Sequence, residues 1–386
     1  MKEYKIALAI KTEGLEYDDR VRKEILSVQK LYPNIRFKIF AMLPDNKEYE
    51  GITTYGVPFK AIYMPSREKY PSAQKILKKT YEFYKVLKPE LNDFDAVWCG
   101  DYHSVAIALF CKNKPVLWDL HELPSMLLFS RIKRIVLKKV FDNCKVVLHA
   151  NPQRIEYIAS KGCIKDPSKH FALRNFPNFQ DVDTEYDEKY DAFISWKKDR
   201  PCVYLQGLTN YSRADVESVN AVLSYPDIVA VVVGSMQDRA KKELEEKWGK
   251  QVLDERVFLV GQIPQLKIPQ YVSKCFTTLV FYKNVRPNNW YCEANRFYQA
   301  VILGLPVVVG NNPPMKELVE KYDFGVVANT DGCNVSEIII GLQQVIHRRS
   351  QYLESIEAYK HFLTWDQQED VIRQVMGKFA GIKDLA

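Results

Sequence analysis

The amino-acid sequence predicts an α/β protein built from two doubly wound domains, and three observations support this expectation. The chain has 386 residues, so two domains of about 180 residues are expected rather than one. Short apolar segments alternate with helical patterns along both halves, which is typical of parallel sheets covered by helices. The polar, acidic sequence over residues 180–199 has no periodicity and fits a linker between the halves.

The composition argues against several classes of protein. A net charge of +7 is small for this length and gives no nucleic-acid signature. Eight cysteines are scattered without a C-x-x-C pair, which predicts reduced thiols and a cytoplasmic location. No apolar run approaches about eighteen residues, so no membrane span is expected. A strand is predicted from Tyr4 without a charged and apolar leader before it, so we expect no signal peptide.

Polar side chains follow two neighbouring strands predicted in the first half. The strand at 94–98 runs into C-G-D-Y-H-S, and the strand at 115–119 runs into D-L-H-E-L-P-S. Open α/β sheets bind ligands at the carboxyl ends of their strands. Asp119, His121 and Glu122 therefore form a candidate site, in which the carboxylates could orient or charge the imidazole. The alternative is a histidine with only a structural role.

Two helices of the first half carry many charges. In the helix predicted at 19–31, Asp18 or Asp19 is expected to form the N-terminal cap, with Arg20 and Arg22 on a solvated face. The segment 131–145 has six basic residues and one Asp beside an apolar stripe, which we assign to Ile132, Ile135, Val136 and Val140. It is either a solvated helix or a basic amphipathic surface that contacts an anionic membrane.

The stretch 289–314 holds the most specific pattern in the second half. A helix is predicted at 293–303, with Phe297, Ala300 and Val301 on its buried face. Asn295, Arg296 and Gln299 fall on the opposite face, where they could meet a ligand. Gly304 is expected to end the helix in the left-handed conformation, and a buried strand is expected at 306–309.

Basic residues lie at two further turns of the second half. A strand at 202–206 leads through a turn to a helix near Val216, which forms a ready anion site beside Arg213. The loop after the strand at 277–282 holds Lys283 and Arg286, both able to reach phosphate. A helix at 315–322 is expected to direct its amino-terminus to the same edge of the sheet.

Three segments of the chain resemble one known family. The string N-R-F-Y-Q-A-V-I-L-G-L-P-V-V is similar to the donor-binding segment of the GT-B glycosyltransferases, in their large retaining family of bacterial nucleotide-sugar-dependent enzymes (glycosyltransferase group 1). D-L-H-E and the terminal L-T-W-D-Q-Q-E resemble the same family. The resemblance implies two Rossmann-like domains that face across a cleft, with a C-terminal helix that crosses back to the first domain. The domains are then 1–185 with 364–386 on the acceptor side, and 186–363 on the donor side.

The sequence departs from the family pattern at three positions. The family carboxylate that holds the nucleotide ribose corresponds to Gln299, and its earlier glutamate corresponds to Tyr291, with Glu293 the nearest carboxylate. Of the two cations that the family places near the diphosphate, Arg213 matches one, whereas Leu208 occupies the position of the other. The missing charge must then come from Lys283, Arg286 or Arg296.

The resemblance also implies an activity. The expected reaction moves a sugar, with retention at the anomeric carbon, from a nucleotide-diphosphate sugar to a saccharide or lipid-linked acceptor, in cell-surface polysaccharide or glycolipid synthesis. His121 would lie over the donor sugar, and neither a metal nor a cofactor is expected. The expected place is the cytoplasm, with possible peripheral contact at the inner face of the membrane. The alternatives are a catalytically silent module that acts as a partner subunit, and a nucleotide-sugar epimerase of the same fold.

Overall fold

The computed structural model describes residues 3–70, 74–178, 186–207, 211–264 and 267–381. The chain divides into two compact units. One comprises Met1–Asn175 together with Asp366–Ala386, and the other comprises Phe176–Trp365. The boundaries predicted from the sequence were at residues 185 and 364. The C-terminal helix belongs to the first unit, as the resemblance implies.

An eight-stranded sheet forms the centre of the amino-terminal unit. Its strands, in chain order, are β1 (Tyr4–Lys11), β2 (Ile35–Met42), β3 (Tyr49–Ile52), β4 (Pro58–Ala61), β5 (Ala96–Gly100), β6 (Val116–Leu120), β7 (Val146–His149) and β8 (His170–Ala172). Their order in the sheet is β3-β4-β2-β1-β5-β6-β7-β8. All pairs are parallel except β3 with β4. The strand order reverses at β1, so a crevice is expected at the carboxyl ends of β1 and β5.

The helices of this unit connect successive strands. They are α1 (Asp19–Leu31), α2 (Pro65–Lys69), α3 (Ile76–Glu90), α4 (Val105–Phe110), α5 (Ser125–Leu128), α6 (Arg131–Asn143) and α7 (Pro152–Ser160). The Asp18 side chain accepts a hydrogen bond from the backbone N–H of Val21, 3.3 Å away, so Asp18 rather than Asp19 forms the N-terminal cap of α1.

A six-stranded parallel sheet forms the centre of the carboxyl-terminal unit. Its strands are β9 (Cys202–Gln206), β10 (Val229–Val233), β11 (Val257–Gly261), β12 (Thr277–Val280), β13 (Val307–Val309) and β14 (Gly325–Val327). They lie in the order β11-β10-β9-β12-β13-β14, so the order reverses at β9. The three valines of β13 are fully buried, as expected for a strand covered by helices on both faces.

The remaining helices are α8 (Lys189–Lys197), α9 (Asp215–Leu223), α10 (Asp238–Trp248), α11 (Lys250–Arg256), α12 (Ile268–Val272), α13 (Pro287–Trp290), α14 (Asn295–Ile302), α15 (Pro313–Tyr322), α16 (Val335–Tyr359) and α17 (Glu369–Ala380). Helix α17 packs against α1, β7 and β8 of the amino-terminal unit. Gly304 follows α14 with a φ of 80°, which confirms the predicted left-handed residue. No helix in the described part of the chain is long and apolar enough to cross a membrane.

Candidate functional site

Asp119 is the centre of a buried charge cluster in the amino-terminal unit. It lies in β6 and is fully buried. Arg20 of α1 donates two hydrogen bonds to it, from Nη2 to Oδ1 at 2.7 Å and from Nε to Oδ2 at 3.1 Å. Burial by itself would raise the pKa of Asp119, but the charges of Arg20 and His121 outweigh burial and hold it well below its usual range. Asp119 is therefore a permanent anion at neutral pH.

His121 lies directly beside this carboxylate. Its Nε2 is 2.8 Å from Oδ2 of Asp119, and its backbone carbonyl accepts a hydrogen bond from Arg154 at 2.5 Å. Burial lowers the pKa of His121, whereas the charge and hydrogen bond of Asp119 raise it, with a net value of about 9. The imidazole is consequently protonated at neutral pH, and 22% of its side chain remains exposed. This arrangement agrees with the expectation that a carboxylate charges His121.

Glu24 of α1 belongs to the same cluster, and the sequence analysis missed this role. Its side chain is 1% exposed and lies 2.9 Å from Nε of Arg20. Burial and the neighbouring Asp119 anion raise its pKa well above the usual value. Only the fold brings α1 and β6 together, so no local motif could have revealed the contact. The expectation that Arg20 lies on a solvated face is wrong, because its side chain is 6% exposed. Arg22, which pairs with Asp19, does remain partly exposed.

Glu24, Asp119 and His121 also have the composition of a metal site. One ligand atom of each lies within 4.8 Å of the others. The Arg20 guanidinium already contacts both carboxylates and supplies the positive charge that a metal ion would bring. These residues therefore fit an internal ion-pair network better than they fit a metal.

The other residues at this edge of the sheet differ in exposure. Glu122, the third predicted residue, is exposed. Asp101 follows β5 with a φ of 54°, an unusual value for a residue with a side chain. Its backbone N–H donates to the Asp119 carbonyl at 2.7 Å, and its carbonyl accepts from the Trp118 indole at 2.9 Å. These bonds hold the turn after β5 against β6 and place the Asp101 carboxylate where the charge of His121 acts on it.

Three glycines line the carboxyl edge of the sheet in the other unit. Gly207, Gly234 and Gly261 follow or end β9, β10 and β11, and all have positive φ. A Cβ atom on Gly234 would lie 3.2 Å from the backbone of Gly207, so only glycine permits this close approach. These three positions therefore carry no side chain of their own, although the Arg213 guanidinium lies against Gly207. Leu208, one of the three departures from the family pattern, lies outside the described residues.

Arg213 and Arg296 approach the same aromatic ring. The guanidinium carbons of Arg213 and Arg296 lie 5.8 Å and 5.3 Å from the ring centroid of Tyr282. Arg213 donates to the Gly207 carbonyl at 3.1 Å. Arg296 is 8% exposed and donates to the carbonyls of Gln206 and Phe281. Both predicted cations therefore lie at the carboxyl end of β9.

The buried Asp215 carboxylate, on which the charges of Arg296 and Lys283 act, partly balances the positive charge of this edge. Burial, with Arg213 nearby, lowers the pKa of Arg296 despite the opposing effect of Tyr282. Neither guanidinium pairs with a carboxylate in the described part of the chain. Asn312 is the residue before α15, and its side-chain amide donates to the Tyr282 carbonyl at 2.9 Å. This bond fixes the amino-terminus of α15 to the segment that follows β12.

Lys283 has a different environment from the one the sequence suggested. Its side chain is 1% exposed, and Nζ lies 2.7 Å from Oε1 of Glu217 in α9 and 3.4 Å from the Tyr211 ring centroid. Burial lowers its pKa, but Glu217 reverses the effect and keeps the amine charged. Lys283 thus anchors the loop after β12 to α9. Arg286, the residue before α13, is exposed.

The predicted residues around α14 lie at one end of that helix. Tyr291 and Glu293 precede it and are partly buried, and the Glu293 carboxylate accepts a hydrogen bond from the Tyr298 hydroxyl. Asn295 is its exposed first residue. Gln299 is partly buried, and its side-chain amide makes no hydrogen bond within the described residues. Phe297, Ala300 and Val301 are buried as predicted, but Arg296 is buried as well.

Helix α6 presents an exposed apolar and basic surface. Ile132 and Ile135, two members of the predicted apolar stripe, are 77% and 53% exposed. The residues that pack inward are Leu137, Val140 and Phe141. Phe129, just before the helix, is 73% exposed. The α6 surface therefore consists of Phe129, Ile132 and Ile135 among the cations Arg131, Lys133, Arg134, Lys138 and Lys139.

No family model and no curated protein matches this sequence. Solved structures match it over nearly the whole chain. Sucrose-phosphate synthase from Thermosynechococcus elongatus is 15% identical, with a TM-score of 0.74 over 98% of this chain and 100% of that one. HepE from Anabaena in complex with UDP-glucose is 14% identical, with a TM-score of 0.70 over 96% and 99%. A UDP-forming α,α-trehalose-phosphate synthase from Burkholderia xenovorans is 11% identical, with a TM-score of 0.72 over 98% and 99%.

These matches establish the architecture. The neighbours have the GT-B fold, and they align with both units of this chain. The chain therefore has the GT-B fold of two Rossmann-like α/β domains, which confirms the fold class that the sequence and the family resemblance predicted.

Proposed function

We propose that this protein is a glycosyltransferase that moves a sugar from a nucleoside-diphosphate sugar to a saccharide or lipid-linked acceptor. The observation that carries the proposal is the match to HepE in complex with UDP-glucose over 96% of this chain. The residues of the carboxyl-terminal unit are compatible with such a donor. Two guanidinium groups lie at the carboxyl end of β9 beside Gly207, and the residue before α15 bonds to the segment that follows β12.

Arg213 and Arg296 are the proposed diphosphate ligands. As the bond to the sugar breaks, negative charge accumulates on the departing diphosphate. Preorganised cations stabilise that charge without reorganisation in the transition state. Because both guanidinium groups are already held beside Tyr282, this proposal needs no metal ion. Arg286 is the proposed third cation, in place of the charge that the family has at the position of Leu208.

Gln299 and Asn295 are proposed to contact the donor nucleoside and sugar, with Tyr291 and Glu293 at the preceding turn. The amide of Gln299, which makes no hydrogen bond within the described part of the chain, could hydrogen-bond two ribose hydroxyls. It lacks the charge assistance that a carboxylate would provide.

His121 is the proposed contact to the transferred sugar. Its ring is protonated and partly exposed, so it can donate a charge-assisted hydrogen bond. Asp119 positions the ring and maintains its charge, whereas the exposed Glu122 is a second candidate for sugar contact. We propose retention at the anomeric carbon from the family resemblance alone.

The α6 surface is proposed to contact an anionic membrane. Phe129, Ile132 and Ile135 could enter the headgroup region of the membrane, while the cations around them contact lipid phosphates. An enzyme with a lipid-linked acceptor needs this proximity, and polysaccharide or glycolipid assembly at the cytoplasmic face is the setting we propose.

The test is release of nucleoside diphosphate from a panel of UDP-, GDP-, ADP- and dTDP-sugars, with and without candidate acceptors. Acceptor-dependent release is expected for one donor. His121→Ala should slow it by about one to three orders of magnitude, the effect of losing one group that stabilises the transition state. His347→Ala, which alters an exposed histidine on α16, is the matched control. Tight nucleotide binding without release of any kind would favour the silent partner subunit, and interconversion of two nucleotide sugars would favour an epimerase.

A further inference from the structure

Four basic side chains converge near the carboxyl ends of β1 and β2, and the proposed reaction leaves them unused. They are Lys11, Arg67, Lys79 and His103, which we term the basic cluster. Lys11 is the last residue of β1 and pairs in register with Met42. Arg67 of α2 donates from Nη1 to the carbonyl of Leu43, the next residue along, at 2.6 Å. These two cations therefore lie at the ends of adjacent strands.

The other two members come from the opposite side of β1. His103 lies in the short turn after β5, two residues beyond Asp101, and this turn contacts both β1 and α3. Lys79 lies in the first turns of α3 and is 6% exposed. The charges of three cations from three separate elements thus act on one histidine, at the switch point where an open sheet binds its ligands.

Two cations of the basic cluster, Lys11 and Arg67, form no ion pair within the described ranges. The carboxylates whose charges act on Arg67 belong to Glu13 and Asp45, both exposed, and neither forms an ion pair with it within the described residues. Burial and then the three cations lower the pKa of His103 to about 4. Burial, with Arg67 and Lys11, also lowers the pKa of Lys79. Like charges held together in this way cost folding free energy, and a bound anion would offset the cost.

We propose that the basic cluster binds a phosphate or diphosphate group of the acceptor. The inference rests on the proposed function, in which the amino-terminal unit holds the acceptor. Lys11, Arg67 and Lys79 would neutralise the anion. Neutral His103 can still exchange one hydrogen bond with it without adding to the repulsion among the cations. The acceptor would then be a sugar phosphate or a lipid-linked diphosphate rather than a neutral saccharide.

The experiment is calorimetric titration with sodium pyrophosphate in the presence of saturating UDP, which fills the donor site. Lys11→Gln and Arg67→Gln are each expected to weaken pyrophosphate binding about tenfold or more, the usual effect of losing a charged hydrogen bond. Lys112→Gln removes an exposed cation of the same unit and should change nothing. Arg67→Gln also loses the bond to Leu43, so melting curves accompany each variant, and Lys11→Gln decides the outcome if Arg67→Gln fails to fold.

Equal pyrophosphate affinity in Lys11→Gln, Arg67→Gln and Lys112→Gln would overturn the inference. A chain that binds neither UDP nor any other nucleotide, but whose pyrophosphate affinity still depends on Lys11, would refute the proposed function and leave the anion site standing. Glucose 6-phosphate and geranyl diphosphate then distinguish the source of the phosphate. Tighter binding of the first indicates a soluble acceptor, and tighter binding of the second indicates a lipid-linked one.

Discussion

His121 and Asp119 form a charged pair in which Nε2 lies 2.8 Å from a carboxylate oxygen that Arg20 also contacts. The carboxylate is fully buried, whereas the imidazole is partly exposed at the strand end. Asp119 therefore links a structural cation on one side to a cation that can meet a ligand on the other. Stability and ligand contact are coupled at this pair, and its behaviour should depend on pH.

The stability that His121 contributes is predicted to vanish at high pH. Its pKa of about 9 in the folded chain exceeds the ordinary 6.5, so the contribution is complete below pH 6.5 and is lost as pH rises through 9. His121→Gln should lower the melting temperature at pH 6 and have no effect at pH 10. The effect at pH 6 should be modest, because Arg20 continues to hold Asp119. A difference between the two proteins that does not vary with pH would exclude a charged His121.

The contribution of Glu24 to stability is also predicted to fall as pH rises, but for a different reason. Burial beside an anion raises its pKa above the ordinary 4.5, so its ionisation opposes folding. Stability is complete below pH 4.5 and falls as pH rises through the folded pKa. Glu24→Gln mimics the protonated carboxyl. The melting temperature of the variant minus that of the unaltered chain should therefore be larger at pH 8 than at pH 5. Glu68→Gln, an exposed change in the same unit, is the control. Destabilisation by Glu24→Gln at both pH values would show that Glu24 is an anion paired with Arg20.

Gln299 is predicted to contact the ribose of the donor. Replacing its amide by a carboxylate should preserve or tighten nucleotide binding, since a charged hydrogen bond contributes about 1.5 to 3 kcal/mol against about 0.5 to 1.5 for a neutral one. Gln299→Ala should weaken binding roughly three- to tenfold. Two backbone carbonyls hold Arg296 in place, so a new carboxylate at 299 should not draw it away. Unchanged affinity in both variants would show that α14 does not present residue 299 to the nucleotide.

The α6 surface is predicted to bind anionic vesicles. Changing Lys133, Arg134, Lys138 and Lys139 to Gln removes four cations, each contributing about 1 kcal/mol near a charged membrane. Ile132→Ser with Ile135→Ser should weaken binding independently of salt. Four exposed lysines of α10 and α11, namely Lys241, Lys242, Lys247 and Lys250, provide a control with the same change of charge. If the α6 variant and the α10–α11 variant lose vesicle binding to the same extent, the interaction depends only on net charge, and α6 is not its site.

The sequence was informative where structure follows from local pattern. The apolar run at 307–309, the glycine after α14 and the buried face with Phe297 and Val301 are all encoded within a few positions, so helix, cap and strand could be predicted together. The positions of Asp119 and His121 at a strand end followed from the same logic.

Contacts between distant segments could not be predicted in this way. Arg20 and Asp119 are 99 positions apart, and only the pairing of β1, β5 and β6 brings α1 over β6. Lys283 resembles a phosphate ligand in sequence, but Glu217, 66 positions earlier, pairs with it. Helix periodicity alone could not decide whether Ile132 and Ile135 face the core, because α6 packs through Leu137, Val140 and Phe141 instead.

The central claim is that the carboxyl-terminal unit binds the diphosphate of a nucleotide sugar through Arg213 and Arg296. Calorimetric titration with UDP, GDP, ADP and dTDP tests it most directly. One of these nucleotides should bind with a dissociation constant of about 1 μM to 1 mM, the usual range for an enzyme and its substrate. Arg213→Gln should weaken that binding about tenfold or more, as expected for a lost charged hydrogen bond. Failure of every nucleotide to bind the unaltered chain, or equal affinity in Arg213→Gln, would contradict the account.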